Sequence, residues 1–252
     1  MGFAVPADAY DRFMGRYSTQ LAPQLADFAG VREGMRVVDV GCGPGALTTE
    51  LVSRVGAAAV TAVEPSESFA AAARERHPGV EVHEATAEAL PFANGAFDVA
   101  LAQLVVHFMT DPLAGLGEMA RVTRRGGVVA ACVWDHAGEG PLTPFWRAAH
   151  ELDPSAHDES DLAGAREGHL VQLFEEAGLG DVTQGVLGVT AEHPTFDDWW
   201  EPFTLGVGPA GAYAASLTAE HREELRARCR ARLGEGPFSI PSRAWAARGV
   251  AA

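Results

Sequence analysis

Lysine is missing from this 252-residue chain, and all 19 of its basic residues are arginine. Aspartate and glutamate number 34, which gives a formal net charge of −15 at pH 7. An acidic surface of this strength repels the phosphates of nucleic acids and the head groups of acidic membranes. We therefore expect neither a nucleic acid nor a membrane among the partners of this chain.

Cysteine is scarce, with single residues at positions 42, 132 and 229. An odd number at wide spacing provides neither a disulfide framework nor a zinc-binding pattern, so no metal site is predicted. No run approaches the roughly 18 apolar residues of a membrane span, and the first residues lack the basic and apolar segments of a signal peptide. These absences predict a cytoplasmic protein, and its 47% hydrophobic content is enough for a sizeable core.

The most informative segment that is present is VVDVGCGPG, residues 37–45, in which a buried strand runs into a glycine-rich turn. Gly41 and Gly43 have no Cβ, so the backbone can bend sharply and a ligand can lie directly against it. The next apolar run, residues 59–63, ends at Glu64. In a βαβ unit a carboxylate at that point reaches a ribose and accepts hydrogen bonds from its hydroxyls. The pattern therefore predicts a site for a nucleoside-containing cofactor.

The glycines alone leave the kind of nucleoside open, because Gly41, Gly43 and Ala46 also satisfy the dinucleotide fingerprint G-x-G-x-x-A. Asp39, two residues before the first glycine, favours a cofactor with a cationic amine, since a pyrophosphate would lie beside like charge there. A second interpretation of Asp39 is a turn residue whose carboxylate hydrogen-bonds the loop. A nicotinamide-dependent dehydrogenase therefore stays as an alternative.

Beyond the glycine turn, apolar runs and helical patterns alternate along the chain. This alternation predicts an α/β fold with a parallel sheet and right-handed crossovers, whose ligands bind beyond the carboxyl ends of the strands. Strands are predicted at 36–40, 59–63, 80–83, 97–101, 127–133, 182–190 and 238–248, and helices at 46–55, 66–76, 112–123, 144–152 and 169–177.

We expect one structural domain with three parts. Residues 1–30 predict a helical arm with one aromatic face, which either packs on the core or closes the site as a lid. Residues 31–135 are predicted to be the cofactor-binding core. Residues 136–252 are predicted to complete the sheet and to add a helical substrate cap at about 191–235.

Four further stretches follow the glycine turn along the chain, and together with that turn they cover about residues 35–133. They are AVEPS at 62–66, ATAEALPFANGAFDVAL at 85–101, LVVHFMTDP at 104–112 and EMARVTRRGG at 118–127. Together they resemble the class I S-adenosylmethionine (SAM)-dependent methyltransferases, in the type 11 or quinone-methyltransferase-like branch that acts on small molecules. The resemblance implies a Rossmann-like seven-stranded sheet with strands one to five parallel and the last strand antiparallel.

The same resemblance implies SAM as the cofactor and places its contacts at the ends of separated strands. The implied contacts are Asp39, Gly41, Cys42, Gly43, Glu64, Pro65, Thr86, Ala87, Glu88 and Gln103, with Tyr17 of the lid near the methionyl carboxylate. Relatives usually carry an aspartate in the adenine loop, where this chain has Thr86. A hydroxyl can hydrogen-bond an exocyclic amine without charge, so we expect somewhat weaker adenine recognition.

His107 follows the fourth predicted strand, where the family places its active site, and is the candidate catalytic base. An unperturbed imidazole pKa near 6.5 leaves most of such a residue neutral at cytoplasmic pH. A base is needed only if the acceptor carries a proton that it does not release by itself; otherwise His107 only shapes the site. Asp135 and His136, after the fifth strand, are further candidates.

Aromatic residues are concentrated after residue 133 and predict a flat or apolar small-molecule substrate. The predicted substrate-binding residues are Tyr10, His107, Trp134, Trp199 and Trp200. Trp199 and Trp200 are adjacent, so on a helix their side chains point about 100° apart. We expect one of them to pack inward and the other to line a cavity.

The sequence thus predicts a SAM-dependent methyltransferase that methylates an O, N or C atom of a small organic molecule, with a role in secondary metabolism. The cofactor product would be S-adenosylhomocysteine, and the protein would be a monomer or a homodimer. A protein that binds SAM without methyl transfer, as a structural subunit or for other chemistry, is the second alternative.

Overall fold

The structure, a computed structural model, describes residues 7–252, so the part of the predicted lid in residues 1–6 lies outside the described residues. Seven strands form one sheet. They are β1 (Val37–Val40), β2 (Val60–Val63), β3 (Glu81–His83), β4 (Phe97–Gln103), β5 (Thr123–Trp134), β6 (Gly180–His193) and β7 (Phe238–Val250). Their order across the sheet is β3-β2-β1-β4-β5-β7-β6.

Strands β1 to β5 pair in parallel, whereas β7 pairs antiparallel with both β5 and β6. The predicted seven-stranded sheet with an antiparallel last strand is therefore confirmed. The strand ends differ by a few residues from the predicted ones. For example, β5 begins earlier than predicted because Thr123 already pairs with Phe97 of β4.

Helices flank the sheet, and further helices form the segment before β1 and the segment between β6 and β7. They are α1 (Ala7–Tyr10), α2 (Arg16–Ala29), α3 (Ala46–Val55), α4 (Glu67–Arg76), α5 (Pro112–Val122), α6 (Thr143–Leu152), α7 (His169–Glu176), α8 (Phe196–Trp200), α9 (Gly208–Ser216) and α10 (Ala219–Leu233). A π-helical turn, Asp11–Gly15, joins α1 to α2. No helix within residues 7–252 has the length and apolar character that crossing a membrane requires.

Both faces of the sheet are covered, which explains why its central strands are continuous apolar runs. All four residues of β1 are buried. One apolar cluster joins the sheet to α2, α3 and the segment after β5, and a second joins the opposite face to α5 and α7. The carboxyl ends of β1, β2 and β4 therefore meet at one edge of a rigid scaffold.

The cap, the segment from α8 to α10, is held to α6 by stacked aromatic rings. Phe145 and Phe203 lie face to face with ring centroids 4.5 Å apart and an angle of 4° between their planes. Trp199 packs on Phe203 at 4.8 Å, and Trp200 lies 6.3 Å from Phe145. The aromatic residues concentrated after residue 133 thus form much of the core of the cap.

Candidate active site

The glycine turn after β1 has the backbone geometry that its sequence predicts. Gly41 has a φ of 72°, in the left-handed region that disfavours side chains. A Cβ at this position would lie 2.5 Å from a methyl carbon of Val105, so only glycine fits under the turn that follows β4. Gly43 also has a positive φ, 55°, and a Cβ there would meet no atom within 4 Å, because this glycine faces open space. The turn therefore presents bare backbone to a ligand.

Glu64, directly after β2, is fixed by the same turn. Its two carboxylate oxygens each accept a backbone hydrogen bond at 2.9 Å, one from the N–H of Gly43 and the other from the N–H of Ser66. Burial raises the pKa of Glu64, and these two hydrogen bonds act against that rise. Each oxygen has a further acceptor position, so the carboxylate can bind two hydroxyls of a ligand without leaving its place.

Asp39 lies within β1, beneath the glycine turn, and is 1% exposed. Its Oδ2 accepts a hydrogen bond of 2.7 Å from the hydroxyl of Thr48. Its Oδ1 is buried and has no hydrogen-bond partner among the described residues. Burial raises the pKa of Asp39 to about 7. A buried carboxylate oxygen without a partner is a place where a donor group of a ligand would be stabilised.

A cavity of about 550 Å³ lies above the ends of β1, β2 and β4. It brings together nine of the predicted site residues from five separated segments, namely Tyr10, Gly41, Gly43, Glu64, Pro65, Thr86, Ala87, Glu88 and Gln103. Two more, Asp39 and Cys42, line an adjoining crevice of about 30 Å³ that shares Tyr10, Gly41, Gly43 and Gln103 with the cavity. We call the 550 Å³ space the large cavity.

The loop at the predicted adenine end of the large cavity is held by Glu88. Its Oε1 accepts hydrogen bonds from the backbone N–H groups of Thr110, at 2.8 Å, and Asp111, at 3.3 Å. Burial raises the pKa of Glu88, but hydrogen bonds from Asp111, Thr86 and Thr110 outweigh it, and the net pKa is lowered. Thr86 therefore contributes to this loop's hydrogen bonding as well as to the cavity wall.

A second, small cavity of about 30 Å³ adjoins the large one and shares Tyr10, Leu104 and Phe108 with it. We call it the small cavity. Its polar lining consists of His107, His136, Trp134 and Glu159, and the rest is mostly apolar. His107 and Trp134 were predicted for the substrate, and the structure places them together.

Both histidines of the small cavity are held in the neutral state. Burial lowers the pKa of His107 well below its usual value, and nearby His136 lowers it further. Burial lowers the pKa of His136 to about 4, against the opposing effect of Asp158 and Asp135. His107 is thus neutral at pH 7, as the sequence predicts, but it is a much weaker base than an unperturbed imidazole.

Glu159 was not identified from the sequence. It lies in the irregular segment between α6 and α7, is 3% exposed, and accepts a hydrogen bond of 2.7 Å at Oε2 from the indole N–H of Trp146. Burial raises the pKa of Glu159 to about 7. The local sequence, DPSAHDES, is polar and rich in turn formers, so no pattern in it marks this glutamate as buried.

Other predicted residues lie apart from the two cavities. Tyr17 is buried and contacts Nε2 of His193 through its hydroxyl at 3.2 Å, and it does not line either cavity. Trp199 and Trp200 are both buried in the cap, and neither lines either cavity. Trp199 lines a separate crevice of about 10 Å³ together with Tyr17. The expectation that one of the two tryptophans lines a substrate cavity therefore stays a prediction.

Asp135 is held by contacts that indicate a structural role. Its Oδ2 lies 2.6 Å from a guanidinium nitrogen of Arg243 and also accepts a hydrogen bond from the backbone N–H of Glu139. The side chain is 4% exposed, and it anchors the turn after β5 to β7. Asp135 does not line either cavity.

Comparison with known proteins gives the class of the core. Residues 38–131 match the family described as a methyltransferase domain. A malonyl-[acyl-carrier protein] O-methyltransferase of Pectobacterium atrosepticum is 32% identical over 60% of this chain and 57% of its own length. The chloroplastic 2-methyl-6-phytyl-1,4-hydroquinone methyltransferase 2 of rice is 34% identical over 59% of this chain and 40% of its own length. The chain thus spans about half the length of these curated relatives.

Similarity of structure extends over more of the chain. The crystal structure of geranyl diphosphate C-methyltransferase from Streptomyces coelicolor, in complex with Mg²⁺, geranyl diphosphate and S-adenosylhomocysteine, superposes with a TM-score of 0.56. It covers 94% of this chain and 80% of that protein at 16% identity, so it shows the fold alone. Residues 38–131 thus match a methyltransferase domain, and the sheet of the whole chain has the class I fold that the sequence resemblance predicted.

Proposed function

We propose that this protein transfers a methyl group from SAM to an O, N or C atom of a small organic molecule. The observation that carries the proposal is the presence of two carboxylates in adjoining spaces, Glu64 in the large cavity and Asp39 in the crevice beside it. Glu64 offers fixed acceptor positions for a ribose, and Asp39 offers a buried, unpartnered oxygen for an ammonium group. SAM has both groups in one molecule, and a space of about 550 Å³ is large enough for it.

The residues present fit this cofactor at three places. Glu64 would hold the ribose, the backbone of the glycine turn would lie against the amino-acid part, and Asp39 would bind the ammonium group. Gln103 adds a second buried acceptor beside Asp39, because its Oε1 has no partner among the described residues while its amide N–H bonds the carbonyl of Ser18 at 3.1 Å.

SAM supplies a methyl group that is already activated by a positively charged sulfur. The residues of the chain then have two tasks, which are to align the acceptor and to exclude water. Alignment of two reactants contributes roughly 7–11 kcal/mol toward lowering a barrier. Tyr10, Leu104 and Phe108, which belong to both cavities, form a mostly apolar boundary that suits both tasks.

We propose that the acceptor lies in the large cavity beside Tyr10, Leu104 and Phe108 and extends only its reacting end into the small cavity, because about 30 Å³ holds no more than a few atoms. The relatives leave the identity of the acceptor open. Their names refer to a malonyl carrier protein, a phytyl hydroquinone and geranyl diphosphate, which are chemically unlike one another. The proposal includes the role in secondary metabolism that the sequence suggests, and the assembly as monomer or homodimer. Identification of the acceptor tests the role in secondary metabolism, and light scattering tests the assembly state.

Calorimetry with S-adenosylhomocysteine and with NADH tests the cofactor assignment. We expect micromolar binding of S-adenosylhomocysteine and none of NADH, and the reverse result would favour the dehydrogenase alternative. A donor-consumption assay with phenols, amines and indoles then tests methyl transfer. Tight cofactor binding with no turnover across the panel would favour a SAM-binding protein without methyl transfer.

A further inference from the structure

Several residues that line the small cavity have buried nitrogen atoms without a hydrogen-bond partner among the described residues. Nδ1 of His107, both ring nitrogens of His136 and Nε1 of Trp134 have no hydrogen-bond partner among the described residues. Each buried polar atom left in this state costs about 1–3 kcal/mol. Neutral imidazoles supply a donor and an acceptor each, and indole supplies a donor. A ligand that satisfies these donors and acceptors must carry polar atoms of its own.

The charge of the small cavity restricts the ligand further. The part of its lining that residues 7–252 form contains no arginine, and the sequence contains no lysine. Its two histidines are neutral at pH 7, so no cation of the lining faces the space. A carboxylate or phosphate would be buried beside Glu159 without a counter-charge, which is strongly unfavourable. The reacting end of the acceptor is therefore not an anion.

Glu159 has the free position that such an acceptor needs. Oε2 is taken by Trp146, whereas Oε1 makes no hydrogen bond to the described residues. The carboxyl is nearly inaccessible to bulk water, which is also why its pKa is raised to about 7. A base with a pKa close to the working pH is the most effective proton acceptor. His107 and His136, with lowered pKa values, are poorer ones.

We propose that Glu159, rather than either histidine, receives the proton of the methyl acceptor, and that the acceptor therefore carries an O–H or N–H group at the atom to be methylated. This inference rests on the proposed function. The O–H or N–H bond breaks and its proton passes to the Glu159 carboxylate. The electron pair of the nucleophile forms the new bond to the methyl carbon, and the methyl–sulfur bond breaks with its electrons left on the neutral thioether sulfur.

The charge-neutral variant Glu159→Gln tests this role, with Glu167→Gln as a matched control on the same segment, where Glu167 is exposed. We expect at least a 100-fold loss of turnover for Glu159→Gln, with the affinity for S-adenosylhomocysteine changed less than twofold. The activity of the wild type should rise through about pH 7 as Glu159 ionises, and this limb should be absent from the variant. The titratable groups that face Glu159 are Asp158, His107, His136 and Tyr10.

Trp146→Phe provides a second variant that keeps the carboxylate. The indole N–H lowers the pKa of Glu159, so its removal should move the limb of the pH profile to higher pH while KM changes little. A purely structural role of Glu159 would leave the position of the limb unchanged. Should Glu159→Gln fail to fold, the presence or absence of this shift decides the question.

Direct binding of one-ring probes tests the acceptor class. In the presence of S-adenosylhomocysteine, we expect p-cresol or benzylamine to bind, benzoate to bind at least tenfold more weakly, and Glu159→Gln to lose the difference. Which of the first two binds distinguishes an O–H from an N–H acceptor. Preferred binding of benzoate, or no binding of either neutral or cationic probe, overturns the inference. Failure of S-adenosylhomocysteine to bind would instead overturn the proposed function.

Discussion

Replacement of Glu64 by glutamine should weaken cofactor binding by about 1.5–3 kcal/mol, because two charge-assisted hydrogen bonds to the ribose become neutral or are lost. That is a roughly ten- to 150-fold rise in the Kd of S-adenosylhomocysteine, measured by calorimetry at pH 7.5. The amide also places one N–H₂ group against the N–H of Gly43 or Ser66, since both carboxylate oxygens accept a backbone hydrogen bond at 2.9 Å. Part of the effect can therefore come from a disturbed turn.

A comparison of two ligands separates the ribose contact from the disturbed turn. If Glu64 binds the ribose hydroxyls, adenosine should bind the wild type more tightly than 2′,3′-dideoxyadenosine, and Glu64→Gln should remove most of that difference. Glu75→Gln, on the exposed face of α4, serves as the control and should leave both affinities unchanged. If the losses from the variant and from the missing hydroxyls simply add, Glu64 does not contact the ribose and our reasoning is refuted.

Three further predictions concern the turn and the buried titratable groups. Gly41→Ala should destabilise the protein by at least about 1–3 kcal/mol, because φ is 72° and the Cβ would lie 2.5 Å from Val105; urea unfolding measures this, and an unchanged midpoint would contradict it. Burial raises the pKa of Asp39 from 3.8 to about 7, so its contribution to stability is lost as the pH rises from about 4 through 7. Asp39→Asn should therefore stabilise the free protein at pH 8 but not at pH 4, and it should weaken S-adenosylhomocysteine binding; a variant less stable at pH 8 would count against the raised pKa. The His136 ring, with its pKa lowered to about 4, should show no NMR titration between pH 6 and 9, and a midpoint in that range would show that the small cavity is open to water.

The sequence predicted the cofactor half of the fold well because that half depends on local rules. A continuous apolar run marks a strand buried on both faces, and residues such as Gly41 mark a turn in which a side chain has no room. Parallel pairing then brings the end of β2, at Glu64, beside the end of β1 without any further information. Nine predicted residues meet in one cavity for this reason.

The acceptor half could not be predicted in the same way, because its residues meet only through tertiary packing. Glu159 lies in a polar, turn-rich segment. Its buried carboxylate accepts a hydrogen bond from Trp146, which lies 13 residues earlier in the chain, on α6. The adjacent pair Trp199 and Trp200 predicts two different directions for the side chains, but it does not predict that rings of α6 and the cap pack against both of them. Periodicity identifies a buried face and does not say whether a ligand or another side chain covers it.

Residues 10–17, which belong to the predicted lid, are held both by exposed ion pairs and by buried contacts. Tyr10 and Phe13 face the cavities, and the turn between them is tied to the rest of the protein by surface ion pairs, Asp11 with Arg76 and Arg12 with Glu201. Exposed pairs of this kind contribute only about 0–1 kcal/mol each.

Farther along, Arg16 pairs with Asp198 at 2.7 Å, and Tyr17 contacts His193 in the buried interior. The turn itself is also held by apolar packing, because Phe13 is buried and its ring lies 5.2 Å from that of Phe203 in the cap.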